Sequence, residues 1–307
     1  MRKKNIEDKI GEVNRDINYQ QFSLGGSVEE KDYRSWCLDN RLFLNSLNDI
    51  GSFSIGGRDI LHIGQVSGNN PSHIVSCVGF FNQIKQEYVS ARYFLYEGIK
   101  YKDPHFSDKD VYLVNTLDYP NYSINSEKVR VAVRMAYSLF DKIASFLWYY
   151  YDLSRSIGIH KISFNNIWDK LPYSSQADNL LLYGLFHLSK DLDYKSDIYV
   201  KGSTDPGAKI FKDMRNKLEH RYLKLHDDTL NEGFNNEQLH DEFANSFYRE
   251  HFEQKAIILL QKARAALVYL SLAIQQEELR KYESTTSEAS IPFGELHFGE
   301  LEDEWKW

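Results

Sequence analysis

The sequence predicts an all-α protein, a bundle built on long helices followed by an acidic C-terminal tail. Only 6 Pro and 17 Gly interrupt 307 residues, which favours long uninterrupted elements over the short strands of a sandwich. Apolar residues recur at helical spacing over several stretches of more than 20 residues. Hydrophobic residues make up 42% of the chain, including 21 Tyr and 18 Phe, which is enough material for a folded core.

The first predicted helix begins at a capping box, Ser27-Val-Glu-Glu30. In this motif the Ser27 hydroxyl accepts a hydrogen bond from the Glu30 amide, and the Glu30 carboxylate accepts one from the Ser27 amide. We expect the helix to end near residues 45–51. Residues 51–72 carry five Gly and one Pro, and they predict a loop with room for a short strand.

Two long helices should form the centre of the core. Asn70 can cap the second helix and Pro71 can occupy its first turn, which predicts a helix over roughly 71–100. The third helix follows Ser126 and ends before Gly158. Three later segments show the same periodicity and are predicted as helices: 176–193, 206 to about 226, and 236 to about 281 with a break near Ser246.

Several function classes are excluded by composition. Cys37 and Cys77 are too few for a disulfide framework or a cysteine zinc site, and no histidines have a ligand spacing. The charged N-terminus does not resemble a signal peptide, and polar residues interrupt the most apolar stretch, 256–274. We therefore expect a cytoplasmic protein with no cofactor, no metal and no membrane contact.

The net charge of −7 is concentrated at the C-terminus. Residues 277–307 carry nine acidic and three basic side chains, so the rest of the chain is close to neutral. We divide the chain into an N-terminal extension (1–26), one helical domain (27–281) and a flexible acidic tail (282–307). The tail either keeps the protein soluble or folds over a basic surface as an RNA mimic.

One predicted helix combines residues suited to phosphodiester chemistry. Between Lys209 and Lys224 there are six basic and two acidic side chains. On a helical wheel Ile210, Phe211, Met214, Leu218, Tyr222 and Leu225 form a core stripe. Arg215, Asn216, Glu219 and His220 share a polar arc that points away from the core. Arg215 offers a fixed cation for a phosphate, and His220 offers a group that moves protons near neutral pH.

Spacing alone does not single out this pair, because Arg155 and His160, and Arg221 and His226, are separated in the same way. The Arg155 pair encloses Gly158, and Arg221 projects from the core side of the wheel with His226 at a helix terminus. An ordinary surface ion pair between Arg215 and Glu219 is the structural alternative. Glu87 and Arg92, on the second helix, either reach the site or form a solvated face.

The segment Arg215-Asn-Lys-Leu-Glu-His220 resembles the signature of HEPN domains, an Arg followed by a polar residue and then by His on a late helix of an all-α bundle. Six ordered segments together resemble the LA2681-like HEPN subfamily: 33–40, 42–49, 80–92, 140–144, 188–192 and 218–223. This similarity covers most of residues 30–280.

The resemblance implies a metal-independent endoribonuclease, in which the motif helices of two subunits face each other across a composite dimer site. It implies a role in prokaryotic antiviral defence or toxin-type growth arrest, with an antitoxin or activating partner. Arg215 would hold the scissile phosphate, His220 would transfer a proton, and Asn216 would orient His220 or the phosphate. Lys212, Lys217 and Arg221 would bind RNA. Two alternatives are a non-catalytic HEPN module that binds RNA, nucleotide or a protein, and a plain helical interaction protein.

Overall fold

The computed structural model describes residues 22–64, 66–67, 71–172, 178–192, 207–227 and 243–285. Contacts divide the chain into two compact units at Ile60 and Leu61. The described residues are dominated by helices, with one two-stranded sheet among them, and this confirms the predicted all-α class. Most of the predicted acidic tail, from residue 286 onward, lies outside the described residues.

The described residues of the first unit, 22–60, include the α-helices α1 (Val28–Asp39) and α2 (Leu47–Ile50). The Ser27 hydroxyl accepts from the Glu30 amide at 3.0 Å, as the capping box predicts, but the Glu30 carboxylate accepts from the Gly26 amide. The expectation of one helix reaching residues 45–51 is wrong. Arg41 has a φ of 54°, and this left-handed residue ends α1.

In the second unit, α3 (Pro71–Lys100) and α4 (Ile124–Tyr150) pack along their lengths. The start of α3 meets the end of α4, where Phe80 and Phe146 have ring centroids 6.0 Å apart. At the other end, a Cβ on Gly98 would lie 2.6 Å from a Val129 methyl group, so only glycine permits this approach. These helices confirm the second and third predicted helices, although the third begins before Ser126.

Helix α7 (Arg249–Thr285) packs against α3, α4 and α5 (Leu180–Leu192). The section Arg249–Glu283 is long and apolar enough to cross a membrane, but 56% of its most apolar 18-residue stretch is buried inside the protein. Such burial is typical of the core helix of a soluble protein. The α5 helix corresponds to the prediction over 176–193, of which residues 176–177 and 193 lie outside the described residues.

Helix α6 (Ala208–His220) leads into strand β1 (Tyr222–His226), which pairs in parallel with β2 (Ala244–Tyr248). The predicted helix from 206 to about 226 is therefore wrong beyond His220. The helix predicted over 236 to about 281 is present from Arg249 onward, and its predicted break near Ser246 falls within β2. Residues 228–242 lie outside the described part. Leu223, Lys224 and Leu225 are all buried in β1, and the pairing with β2 that places them there is not visible in a local helical pattern.

Candidate active site on the α6 helix

The core side of α6 fixes the orientation of the motif. Phe211, Met214 and Leu218 are buried, as the helical wheel predicts. Tyr222 and Leu225 were assigned to the same stripe, but they belong to β1, where Tyr222 is exposed and Leu225 is buried. The buried side chains hold α6 against α4, α5 and α7, so its polar residues occupy fixed positions.

Arg215 lies at the border between α6 and α4. Its Nη2 atom donates to Oδ2 of Asp141 at 2.9 Å, and its Cζ atom lies 6.0 Å from the centroid of the Tyr137 ring. The Arg215 side chain is 42% exposed and the Asp141 side chain 38% exposed. A guanidinium has five N–H donors, so this one contact leaves donors that face solvent. Arg215 is therefore oriented by the protein and open to an anion.

Asp141 is held as firmly as its partner. Its second oxygen, Oδ1, accepts a hydrogen bond from the backbone amide of Phe164 at 3.1 Å. One carboxylate thus connects the segment after α4 to the motif helix. The structural alternative from the sequence, an ordinary Arg215–Glu219 pair along one helix, is not the contact observed: the ion pair of Arg215 is made across helices.

Asp141 belongs to a row of four polar side chains on α4 that contact α6 and β1; we call it the α4 polar row. The row consists of Arg130, Arg134, Tyr137 and Asp141. These positions are three or four residues apart, so they share one face of α4. For the first three members, the residue number of the partner falls as that of the α4 residue rises: Leu223, Leu218 and then Phe211. The row therefore joins the two helices along three turns of α4.

Three members of the α4 polar row donate to backbone carbonyls. Arg130 donates to Leu223, Arg134 donates to Leu218 at 3.0 Å, and the Tyr137 hydroxyl donates to Phe211 at 2.5 Å. Burial raises the pKa of the Tyr137 phenol far above its ordinary value, and the nearby Arg215 charge offsets only part of that rise. Tyr137 is therefore protonated, as a donor must be.

The end of α6 carries the motif histidine. His220 is the last residue of the helix, and the Arg221 amide closes the helix by donating to the Lys217 carbonyl at 3.1 Å. The His220 side chain lies outside the described part of the structure. Arg134 and Arg130 bind carbonyls on either side of this residue, at Leu218 and Leu223. The backbone that carries His220 is thus held from α4 on both sides.

The remaining predicted site residues lie on the same helix or directly after it. Asn216 is exposed, whereas Lys212 and Lys217 are half-buried. Arg221 was predicted to project from the core side of the wheel, but it is exposed and follows the helix, with its guanidinium 5.6 Å from the Phe243 ring centroid. Arg215, Asn216, Lys212 and Lys217 therefore share one short helix that also ends in His220.

The other Arg–His pairs have different surroundings. His226 ends strand β1 instead of a helix, and its Nε2 atom lies 3.1 Å from the Ser246 hydroxyl. Arg155 and His160 lie on two separate 3₁₀ turns. Among the described residues, no three His, Cys, Asp or Glu side chains come together in a group that could hold a metal ion.

Two charged residues of α3, Glu87 and Arg92, were considered for the site. Glu87 forms an ion pair with Lys142 of α4. Arg92 is 2% exposed, with its Cζ atom 5.8 Å from the Tyr88 ring centroid, so the expectation of a solvated face is wrong at this position. A buried guanidinium is consistent with a structural role in the core.

Sequence reasoning missed Arg134, Tyr137 and Asp141. A signal was present, because these residues are spaced three and four apart and so share one face of α4. Asp141 also lies in the segment 140–144, which contributes to the family resemblance. What they bind could not be read from the sequence, because Asp141 and Arg215 are 74 residues apart.

Comparison with known proteins agrees with the observed bundle. The model of the LA2681-like HEPN family matches residues 69–277, which include α3, the α4 polar row, the motif helix and most of α7. No curated protein matches the chain, and no solved structure does.

Proposed function

Because the chain belongs to the LA2681-like HEPN family, we propose that it is a metal-independent endoribonuclease that cleaves RNA by attack of the ribose 2′-hydroxyl. Family membership by itself supports an RNA-related role. The nuclease activity, the dimeric site and the role in defence or growth arrest are parts of the proposal.

One observation carries the proposal: Arg215 is positioned by Asp141 and remains 42% exposed on the helix that ends in His220. A residue that only stabilised the bundle would not need exposed donors. A guanidinium with fixed orientation and free N–H groups suits the equatorial oxygens of a phosphate. Its charge would stabilise the additional negative charge of the pentacoordinate transition state.

In the proposed reaction, the 2′-oxygen forms a bond to the adjacent phosphorus and the bond to the 5′-oxygen breaks. The products carry a 2′,3′-cyclic phosphate and a 5′-hydroxyl. One imidazole accepts the proton of the 2′-hydroxyl, and a proton is donated to the leaving 5′-oxygen. Asn216 would orient the phosphate or His220. DNA lacks the 2′-hydroxyl and would not be cleaved.

A homodimer through α6 would supply both proton-transfer groups. Two subunits related by a two-fold axis would bring two copies of His220 to one site, so that one accepts and the other donates the proton. Lys212, Lys217 and Arg221 would then line the two sides of the RNA path. An antitoxin or activating protein would act by covering or completing this surface.

The test is incubation of purified protein with mixed-sequence RNA in EDTA, with mapping of the new ends. We expect cleavage with cyclic-phosphate ends by the wild-type protein, and loss of at least about 100-fold with Arg215→Ala or His220→Ala. Arg155→Ala and His160→Ala are matched controls, because they alter an Arg–His pair of the same spacing elsewhere. Cleavage that survives His220→Ala would overturn the proposal.

Two further readouts separate the alternatives. RNA binding without cleavage by the folded, dimeric wild-type protein would favour the non-catalytic HEPN module. Absence of binding even at low salt, where phosphate contacts are strongest, would favour a plain interaction protein. A role in growth arrest predicts that expression stops growth and that His220→Ala restores it.

A further inference from the structure

We propose that Arg134 of α4 binds an RNA backbone phosphate beside the His220 end of α6. This inference rests on the proposed function, because it takes RNA as the anion. It assigns to the site a residue that lies outside the Arg–His motif and comes from a different helix.

The position of the Arg134 guanidinium follows from its contact. Its Nη2 atom donates to the carbonyl oxygen of Leu218 at 3.0 Å. Carbonyls in the last turn of an α-helix point towards its C-terminus and have no partner within the helix. The guanidinium therefore lies at the end of α6 that carries His220, whereas Arg215 lies on the side that faces Asp141.

Arg134 also keeps donors for a ligand. The residue is exposed, and the Leu218 carbonyl is the partner that the described structure gives it. Its neighbour in the α4 polar row, Arg130, differs: Arg130 is 6% exposed and forms an ion pair with Glu127 in addition to its contact with Leu223. Of these two arginines, Arg134 is the one placed to meet solvent.

The Arg134 charge lies at a helix end whose own partial charge is unfavourable for a phosphate. The C-terminus of a helix carries a partial negative charge, which opposes the approach of a phosphate. The proposed chemistry requires a phosphodiester to reach His220 at that end. A guanidinium on the last turn replaces the unfavourable field with a favourable one and provides directed hydrogen bonds.

The experiment measures binding, not cleavage. The probe is a fluorescent single-stranded RNA with methylated 2′-hydroxyls, which cannot be cleaved, and its affinity is measured at several salt concentrations. The variant Arg134→Gln removes the charge and leaves a shorter polar side chain, whereas Arg134→Lys keeps the charge. Lys128→Gln is the matched control: it removes a cation of α4 that pairs with Glu97 of α3.

We expect Arg134→Gln to weaken binding about tenfold at low salt and to reduce the slope of log K against log salt by about 0.7, the loss of one phosphate contact. Arg134→Lys should restore the slope, and Lys128→Gln should match the wild-type protein. Thermal melting checks that each variant is folded. An unchanged slope for folded Arg134→Gln would mean that Arg134 only caps α6, and it would overturn the inference.

The outcomes also separate this inference from the nuclease proposal. A wild-type protein that cleaves RNA, together with an Arg134→Gln variant that binds like wild type, overturns the inference alone. A reduced slope in Arg134→Gln, together with no cleavage by wild type, supports the inference and overturns the nuclease. A wild-type protein that neither binds the probe nor cleaves RNA overturns both.

Discussion

Replacement of Asp141 by asparagine should impair catalysis far more than folding. Asparagine has the same shape and can still accept the hydrogen bond from the Phe164 amide with its carbonyl oxygen. Its amide nitrogen then takes the place of Oδ2, so the variant loses both the charge and the acceptor that orient Arg215. The variant therefore isolates the positioning of Arg215 from the packing of α4.

The expected magnitudes follow from exposure. Both partners are about 40% exposed, and ion pairs of this kind contribute about 0.2–1 kcal/mol to stability. The melting temperature should fall by no more than roughly 4 °C. A displacement of about 1 Å in a catalytic group can cost on the order of 100-fold in rate. We therefore expect kcat to fall by about 10- to 100-fold. KM should not rise, because the site loses a negative charge.

The assay is steady-state cleavage of a short RNA in EDTA, alongside thermal unfolding. Lys142→Gln is the control, because it breaks the neighbouring ion pair of α4, to Glu87, on the face towards α3. It should cost similar stability and leave kcat unchanged. A kcat for Asp141→Asn within twofold of wild type, or above it, would refute the claim that Asp141 positions Arg215.

Three other predictions concern the fold. Burial would raise the pKa of the Asp118 carboxyl, but hydrogen bonds from Lys224 and Thr116 hold that pKa below its usual range. The Asp118–Lys224 ion pair therefore stabilises the fold above about pH 4, and this stabilisation is lost as the pH falls through the lowered pKa. Asp118→Asn should cost about 3 kcal/mol at pH 7 by urea unfolding, with the difference from wild type shrinking in acid. Phe211→Ala should cost about 3–5 kcal/mol in the same assay, because Phe211 is fully buried. Burial raises the pKa of the Cys77 thiol to about 11, so iodoacetamide should modify it at pH 8 only in denaturant.

The long helices could be predicted because their signals are local. Pro71 starts α3 where the sequence indicates, and the apolar stripe of α4 is continuous from Val129 to Tyr150, about six turns. Strand β1 was missed because its partner begins 22 residues further along the chain, at Ala244. Five residues with buried leucines satisfy a helical stripe as well as a strand, and only the distant partner decides between them.

The residues of the site also fall into those with a local signal and those that depend on distant partners. Arg215 and His220 were found because they lie on one short helix with a recognisable spacing. Asp141 and Arg134 act across a helix–helix contact, and their partners depend on the packing of α4 against α6. Arg92 was misjudged for the same reason, because its burial depends on the elements that surround α3.

The α4 polar row changes what should be sought in other genomes. A search for Arg-x₄-His alone returns this chain three times, at residues 155, 215 and 221. The row adds a second pattern, Arg-x₂-Tyr-x₃-Asp at residues 134–141, some 70 residues upstream. A distant sequence that carries both patterns, in this order and on two helices, would be a candidate for the same site even where overall similarity has disappeared.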